Sequence, residues 1–296
     1  MSPSTARSRK PSLADRHIEV DGTAIHYVEC GKGTSVLLLH GAGANAGNWT
    51  NTVQALATGH RVVALDLPGY GESAPLDRSD PEATVAFLWR FVDAVGLGPQ
   101  VLVGHSLGGL LALLMALDRP DCVRGVVAVS AGGLGRAINP LAALQAGTPL
   151  GDLTPLLATA PGGPELLVAG VAALGAGRPW RLPMSWWKAQ LKVAGSYRDL
   201  KTTLSTYRET VGLLGQNQTI VNRLPELSMP VLVVWGLQDR MVPFWQGIRA
   251  ARKIPHSDLQ LLPCSGHLVV NESEKAFQEL LARFLRRTDL LTNGGR

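Results

Sequence analysis

The sequence predicts an α/β protein, a mostly parallel β-sheet flanked by helices on both faces and interrupted by one helical insertion. Three observations predict it. Four short apolar runs, Ser35 to Leu39, Arg61 to Leu65, Gln100 to Val103 and Val123 to Val129, are continuous and do not alternate, as strands buried on both faces do not. Helix-length segments lie between them at about 48 to 58, 81 to 95 and 106 to 118, and strand alternating with helix implies parallel pairing through right-handed crossovers. The rhythm stops after Ser130 and resumes only at Pro230 to Trp235 and Asp258 to Leu262.

Residues 1–16 read as a disordered basic leader. Arg7, Arg9, Lys10 and Arg16 stand there against Asp15, with no apolar stretch of the kind a secretory signal needs. His17 to Val20 and Ala24 to Glu29 then flank Asp21-Gly22, which tolerates positive φ at both central positions of a tight turn, so the fold opens on an antiparallel hairpin. The core is expected over 17–135 and 225–287. Between them, 136–224 carries Pro140, Pro149, Pro155, Pro161, Pro164, Pro179 and Pro183 and no buried strand, and reads as short helices forming a cap or lid. A final helix from about Glu272 to Arg286 sets Phe277, Leu280, Leu281 and Phe284 on one face, and 288–296 is left as a C-terminal tail.

A hydrophobic fraction of 46% with 17% charged residues excludes an intrinsically disordered chain. The formal net charge of +5 is concentrated at the ends, where Arg283, Arg286, Arg287 and Arg296 against Asp289 mirror the leader. The folded body is nearly balanced, so no nucleic-acid partner is expected. The uncharged stretch 94–117 holds five glycines and Pro99, which suit a strand, a turn and a helix better than an integral membrane segment. Cys30, Cys122 and Cys264 lack paired spacing and read as isolated thiols of a reducing, cytoplasmic compartment.

The chemistry concentrates at strand ends. Gly104-His105-Ser106-Leu107-Gly108 places a serine between glycines where a buried strand meets an apolar helix. Such a G-x-S-x-G elbow forces the serine into a strained conformation and lifts its hydroxyl above the sheet, and close packing leaves room only for small residues two positions either side. A serine hydroxyl needs a general base, and the base needs an orienting acid. His267, in Cys264-Ser265-Gly266-His267, and Asp239, after Trp235-Gly236, both follow strands, and the chain order Ser106, Asp239, His267 suits such a set. Leu107 N–H, opening the helix, and Ala42 N–H, in His40-Gly41-Ala42-Gly43, are the expected donors to an oxyanion, each worth roughly 3 to 4 kcal/mol where such donors have been removed. The glycine turn at Gly41 is not continued into a phosphate-binding motif. Asp66 reads as a loop-fixing residue that accepts backbone N–H groups, and His105 is expected to point away from the nucleophile.

Together these residues resemble the α/β-hydrolase superfamily, in the subgroup with a helical cap inserted after strand six; the resemblance covers about 17–135 and 225–287. It implies an eight-stranded, mostly parallel sheet, catalytic roles for Ser106, Asp239 and His267, an oxyanion hole from Ala42 and Leu107, and no metal or organic cofactor. Serine at the elbow argues against epoxide hydrolases and haloalkane dehalogenases, which carry aspartate there. The expected activity is a serine hydrolase cleaving carboxylic esters of small to medium, largely apolar molecules, with Trp180, Trp186 and Trp187 of the cap lining the acyl pocket. The alternative is a C–C bond hydrolase of meta-cleavage-type vinylogous diketones using the same three residues. Those enzymes typically follow the histidine with tryptophan and carry Gly-Pro-Gly in the first loop, where this chain has Leu268 and Gly43-Ala44-Asn45. A charged dienoate would need a clamp, for which Arg178, Arg181, Lys188, Lys192 and Arg198 are the cap's candidates.

Overall fold

The computed structural model describes residues 12–293. The chain opens on a hairpin of β1 (Ala14–Val20) and β2 (Thr23–Cys30). Its turn holds Asp21 at φ 49° and Gly22 at φ 78°, the positive pair that makes a two-residue connection match the strand twist. β1 starts at Ala14, inside the stretch read as leader, because Asp15 and Arg16 pair with Val28 and Tyr27 across the ladder. Residues 1–11 of that leader lie outside the described residues.

Strands β3 (Thr34–Leu39), β4 (His60–Leu65), β5 (Gln100–His105) and β6 (Val123–Val129) follow, with α1 (Thr50–Leu56), α2 (Pro81–Val95) and α3 (Leu107–Asp118) between them. After β6 the chain enters the insertion, made of α4 (Pro140–Gly147), α5 (Leu153–Leu157), α6 (Gly163–Gly175), α7 (Met184–Ala194) and α8 (Tyr197–Thr210). The insertion ends in a two-residue hairpin, β7 (Val211–Gly212) with β8 (Gly215–Gln216), a pairing too short for periodicity to reveal. The body then resumes with β9 (Val231–Gly236), α9 (Trp245–Ala251), β10 (Ser257–Leu262), the short α10 (Val269–Glu272) and α11 (Glu274–Asn293). α11 outruns the expected helix and takes in most of the expected tail: Thr288 is buried, and Asp289 reaches His60 at 3.3 Å.

The main sheet has eight strands in the order β1-β2-β4-β3-β5-β6-β9-β10, and β2 alone runs against the others. Alternate residues of each central strand point to opposite faces, and both faces are covered. Leu37, Leu39, Leu102, Val126, Val231 and Val233 pack toward α2, α3 and α9. Val36, Leu38, Val101, Val103, Val127 and Val234 pack toward α1 and α11. This double burial is why the strands read as unbroken apolar runs. Helix α3 is apolar nearly all round because it lies inside the molecule, with Leu110 to Leu113 buried.

The order of the sheet determines where a site can form. The chain builds β3 and then β4 to one side, and returns to place β5 on the other side of β3. Their carboxyl ends diverge there into loops leading to opposite faces, and the crevice left between is the natural ligand position of an open α/β sheet. The loop after β3 carries Gly41 and Ala42, and the residue after β5 is Ser106. Among the described residues no helix is long and apolar enough to cross a membrane.

Candidate active site

Ser106 occupies φ 54°, ψ −114°, a left-handed backbone that a side chain rarely adopts. Its turn is held by its own peptide groups. Ser106 N–H donates to Val129 O at 2.9 Å, and Ser106 O accepts from Gly109, Leu110 and Gly132 N–H at 3.0 to 3.1 Å. The glycines are required by contact: a Cβ on Gly104 would collide with the Gly108 carbonyl, and one on Gly108 with the Leu39 carbonyl. Gly41 stands against the serine itself, since a Cβ there would lie 3.1 Å from Ser106 Cβ.

His267 and Asp239 arrive on the loops after β10 and β9. His267 Nε2 lies 3.0 Å from Ser106 Oγ, and its Nδ1 lies 2.9 Å from Asp239 Oδ2. The other carboxylate oxygen of Asp239 accepts the N–H groups of Met241 and Val242, both at 2.9 Å, so the carboxylate cannot rotate away from the imidazole. With Nδ1–H donated to the acid, Nε2 is left as the acceptor facing the hydroxyl. That order of carboxylate, imidazole and hydroxyl allows a proton to leave Ser106 as its oxygen attacks.

Ala42 shares the cavity lining with Ser106, and Leu107 follows Ser106 directly at the start of α3. The buried His40 ring donates from Nδ1 to Gly41 O at 2.8 Å and accepts Leu67 N–H at Nε2 at 2.9 Å, and Ala44 N–H also donates to Gly41 O, at 3.2 Å. Burial pushes the His40 pKa below its ordinary value, which keeps the ring neutral in this donor–acceptor role. Because the peptide is planar and trans, fixing Gly41 O on one side turns Ala42 N–H to the other. Leu107 opens α3, where a first-turn N–H has no intrahelical acceptor.

Asp66 behaves as expected, taking the N–H of Ala46 at 2.6 Å and of Glu72 at 2.9 Å and holding the loop after β4. It also bonds His26 Nδ1 at 2.8 Å, while His26 Nε2 reaches Asp15 at 2.7 Å. His105 turns from the Ser106 hydroxyl, as expected, and its contact is with the histidine loop. Its ring lies 5.0 Å from the His267 ring, and its Nε2–H donates to His267 O at 2.8 Å. Burial, first, and the neighbouring His267 push its pKa down to about 3, so it braces the His267 backbone as a neutral donor.

Glu272 is the positioning group that the sequence concealed. Its buried carboxylate accepts Gly266 N–H at 2.8 Å and Gly177 N–H at 3.1 Å through one oxygen, and Arg178 N–H through the other. His267 N–H donates to Gly175 O at 2.5 Å in the same place. The histidine loop of the body and the segment after α6 of the insertion are thus joined around one carboxylate. In the sequence Glu272 is merely an acid near a helix start, and nothing local distinguishes it from any other.

A cavity of about 350 Å³ lies between these groups and the insertion. Ser106, His267 and Gly41 to Ala44 form its floor, and Ile138, Leu167, Val168, Leu174, Val193 and Met241 are among its apolar walls. Of the three expected tryptophans it includes one. Trp186 lines the cavity, whereas Trp187 packs edge-on behind Trp186 and Trp180 is 80% exposed on a single turn at Pro179–Arg181. None of the five candidate cations lines it either: Arg178 turns to Cys264 Sγ and Lys192 to Glu72. All three cysteines are free thiols. Among the described residues no three His, Cys, Asp or Glu side chains are gathered as metal ligands.

Residues 34–273 match the model of the alpha/beta hydrolase fold family. A 2-hydroxy-6-oxononadienedioate/2-hydroxy-6-oxononatrienedioate hydrolase of Burkholderia vietnamiensis is 30% identical over 93% of this chain and 97% of its own length. The dihydrolipoyllysine-residue acetyltransferase component of the acetoin cleaving system of Cupriavidus necator is 32% identical over 93% of this chain and 70% of its own length. Among solved structures, a 2-hydroxy-6-oxo-6-phenylhexa-2,4-dienoate hydrolase from Rhodococcus superposes with a TM-score of 0.77 at 22% identity, over 93% of this chain and 99% of that one. With the family match spanning most of the sequence and the sheet order and crevice described above, the chain belongs to the alpha/beta hydrolase fold family.

Proposed function

We propose that the protein is a serine hydrolase of uncharged carboxylic esters, working through an acyl-enzyme without a cofactor. The observation that carries this reading is the hydrogen-bonded order Ser106, His267, Asp239 on the floor of an apolar cavity. Ser106 Oγ attacks the ester carbonyl while His267 Nε2 takes its proton, and Asp239 stabilises the imidazolium that forms. Ala42 and Leu107 N–H receive the carbonyl oxygen as it gains charge. The intermediate collapses with return of the proton from His267 to the departing alcohol. Water, activated by the same imidazole, then releases the acid and frees Ser106.

The named relatives favour a second reading, cleavage of a C–C bond in a dienoate or dienedioate. The cavity argues against it. Among the described residues no lysine or arginine lines it, and moving a carboxylate into an apolar cavity without a cation or a strong donor set is heavily disfavoured. The test is labelling by a fluorophosphonate, followed by kinetics on acyl esters and on a meta-cleavage dienoate. A single adduct on Ser106, with esters turned over at least about tenfold better in kcat/KM, is expected. The reverse ranking moves the assignment to the C–C reaction, and no adduct on Ser106 removes both.

A further inference from the structure

The cavity is apolar in area, but its few polar side chains differ in how they are satisfied. Gln145 donates to Thr154 at 2.9 Å, and Thr203 donates to Asp199 O at 2.8 Å. Gln190 is different. It stands in the second turn of α7, four residues after Trp186 and on the same face, and both side chains line the cavity. Gln190 is 7% exposed, and its amide forms no hydrogen bond to another side chain or peptide group among the described residues. On the neighbouring helix α8, Tyr207 also lines the cavity.

A primary amide carries two donors and an acceptor, and where the protein takes none of them they are left to whatever the cavity holds. A glutamine more than nine-tenths buried at the cavity wall, with no side-chain partner among the described residues, is suited to a partner delivered by whatever occupies the cavity. We infer that Gln190 is a specificity residue and that the substrate is an ester carrying a second, uncharged hydrogen-bonding group, a hydroxyl or ketone, on the part buried under the insertion. An amide suits such a group because it can donate to a ketone and both donate to and accept from a hydroxyl. It also bears no charge to hold a carboxylate. Tyr207 supplies a further hydroxyl on the adjoining helix, and its pKa is raised by burial, so it stays protonated as a donor. A site that hydrogen-bonds a substrate group rejects the analogue without it more strongly than a purely apolar pocket discriminates a methylene.

The inference rests on the serine-hydrolase reading, and its test is built to fail separately. Two pairs of fluorophosphonates are used, the members of each pair differing only in a ketone for a methylene. One pair carries the change on the arm that mimics the acyl chain, the other on the arm that mimics the alcohol. The second-order rate of Ser106 modification is measured for the wild type, Gln190→Leu and Gln190→Asn. In at least one pair the ketone probe is expected to react about tenfold faster with the wild type, and that ratio should collapse toward one in Gln190→Leu. Gln190→Asn, one methylene shorter, should lose part of the ratio. Equal rates for both pairs in the wild type, or a ratio that survives in Gln190→Leu, overturns the inference and leaves the nucleophile intact. A wild type modified by no probe overturns the underlying serine reading.

Discussion

The sheet body and the helical insertion solve different problems with similar apolar content. In the body, each central strand is buried on both faces, and the hydrogen-bonded groups of the candidate site stand where strands end: Ser106 after β5, Asp239 after β9, His267 after β10. Their relative positions follow from sheet order and register, such as Leu39 opposite Gly104. In the insertion the helices pack mainly on one another and on the cavity, and most of the large apolar side chains left exposed in the molecule belong to it, including Leu141, Leu150, Leu166 and Leu214. The comparison teaches a division of labour. In the proposed hydrolase the body would fix reaction geometry through backbone constraints, and the insertion would fix what the cavity admits through side chains whose exposure depends on helix packing.

The largest expected effect breaks the body alone. Ser106→Ala should lower kcat/KM by more than about a thousandfold without lowering Tm, because among the described residues Ser106 Oγ bonds only His267 and it is no part of the apolar core. Asp239→Asn should slow modification of Ser106 strongly while leaving it detectable. It exchanges the acceptor of His267 Nδ1–H for an amide and removes the charge that stabilises imidazolium. Near-normal turnover in either variant would mean that the strand-end geometry is not the reaction geometry.

Glu272 tests the joint between the regions. Glu272→Ala strands the N–H groups of Gly266, Gly177 and Arg178, at about 1 to 3 kcal/mol for each one that water cannot reach. It also frees the loop that carries His267, and a shift of about 1 Å there costs on the order of a hundredfold in rate. The expected result is a lower Tm together with a fall in kcat of about a hundredfold. Glu272→Gln, whose amide oxygen can still accept two of the three donors, should recover much of both. A variant that loses Tm but keeps kcat would show that the joint holds the insertion on without positioning the histidine.

A pH effect of intermediate size belongs to the body's far edge. The hydrogen bond and charge of Asp66, with help from Asp15, push His26 up to about 9. A folded-state pKa raised above the ordinary value near 6.5 means stability that is fully present below pH 6.5 and lost as pH rises through about 9. Compared with His26→Gln, the wild type should be more stable by about 2 kcal/mol at pH 6, after discounting for the exposed Asp15 side, with the gap closing by pH 10. Thermal melts of both proteins across that range check it, and a gap that does not narrow would place the network's contribution in packing.

How much the sequence discloses divides along the same line. Strands, helices and the Ser106, Asp239 and His267 positions are legible because each rests on a local pattern: a doubly buried apolar run, a glycine-flanked elbow, a loop directly after a strand. The brace at Glu272 and the contact of His105 with His267 are not legible, since both are made between segments far apart in the chain. The leader's end at Ala14 and the reach of α11 to Asn293 were hidden because pairing and packing extend elements past the point where their composition turns polar.

The smallest expected effect sharpens the comparison inside the insertion, where composition alone treats the tryptophans alike. Trp186 and Trp180 are six residues apart, yet Trp186 is 2% exposed against the cavity and Trp180 is 80% exposed. Trp186→Phe removes part of an indole from the wall while keeping an aromatic face toward Trp187, so the cavity gains length at little cost in packing. The preferred acyl chain should lengthen, with kcat/KM for the next longer esters rising severalfold relative to the short ones; one methylene in an apolar pocket is worth about 1 to 3 kcal/mol at most. Trp180→Ala should leave both the preference and Tm unchanged within about 0.5 kcal/mol, because the ring has little to lose. A shift in acyl preference on replacing Trp180 would mean that its turn folds over the cavity mouth during turnover, and the insertion would then act as a moving part as well as a wall.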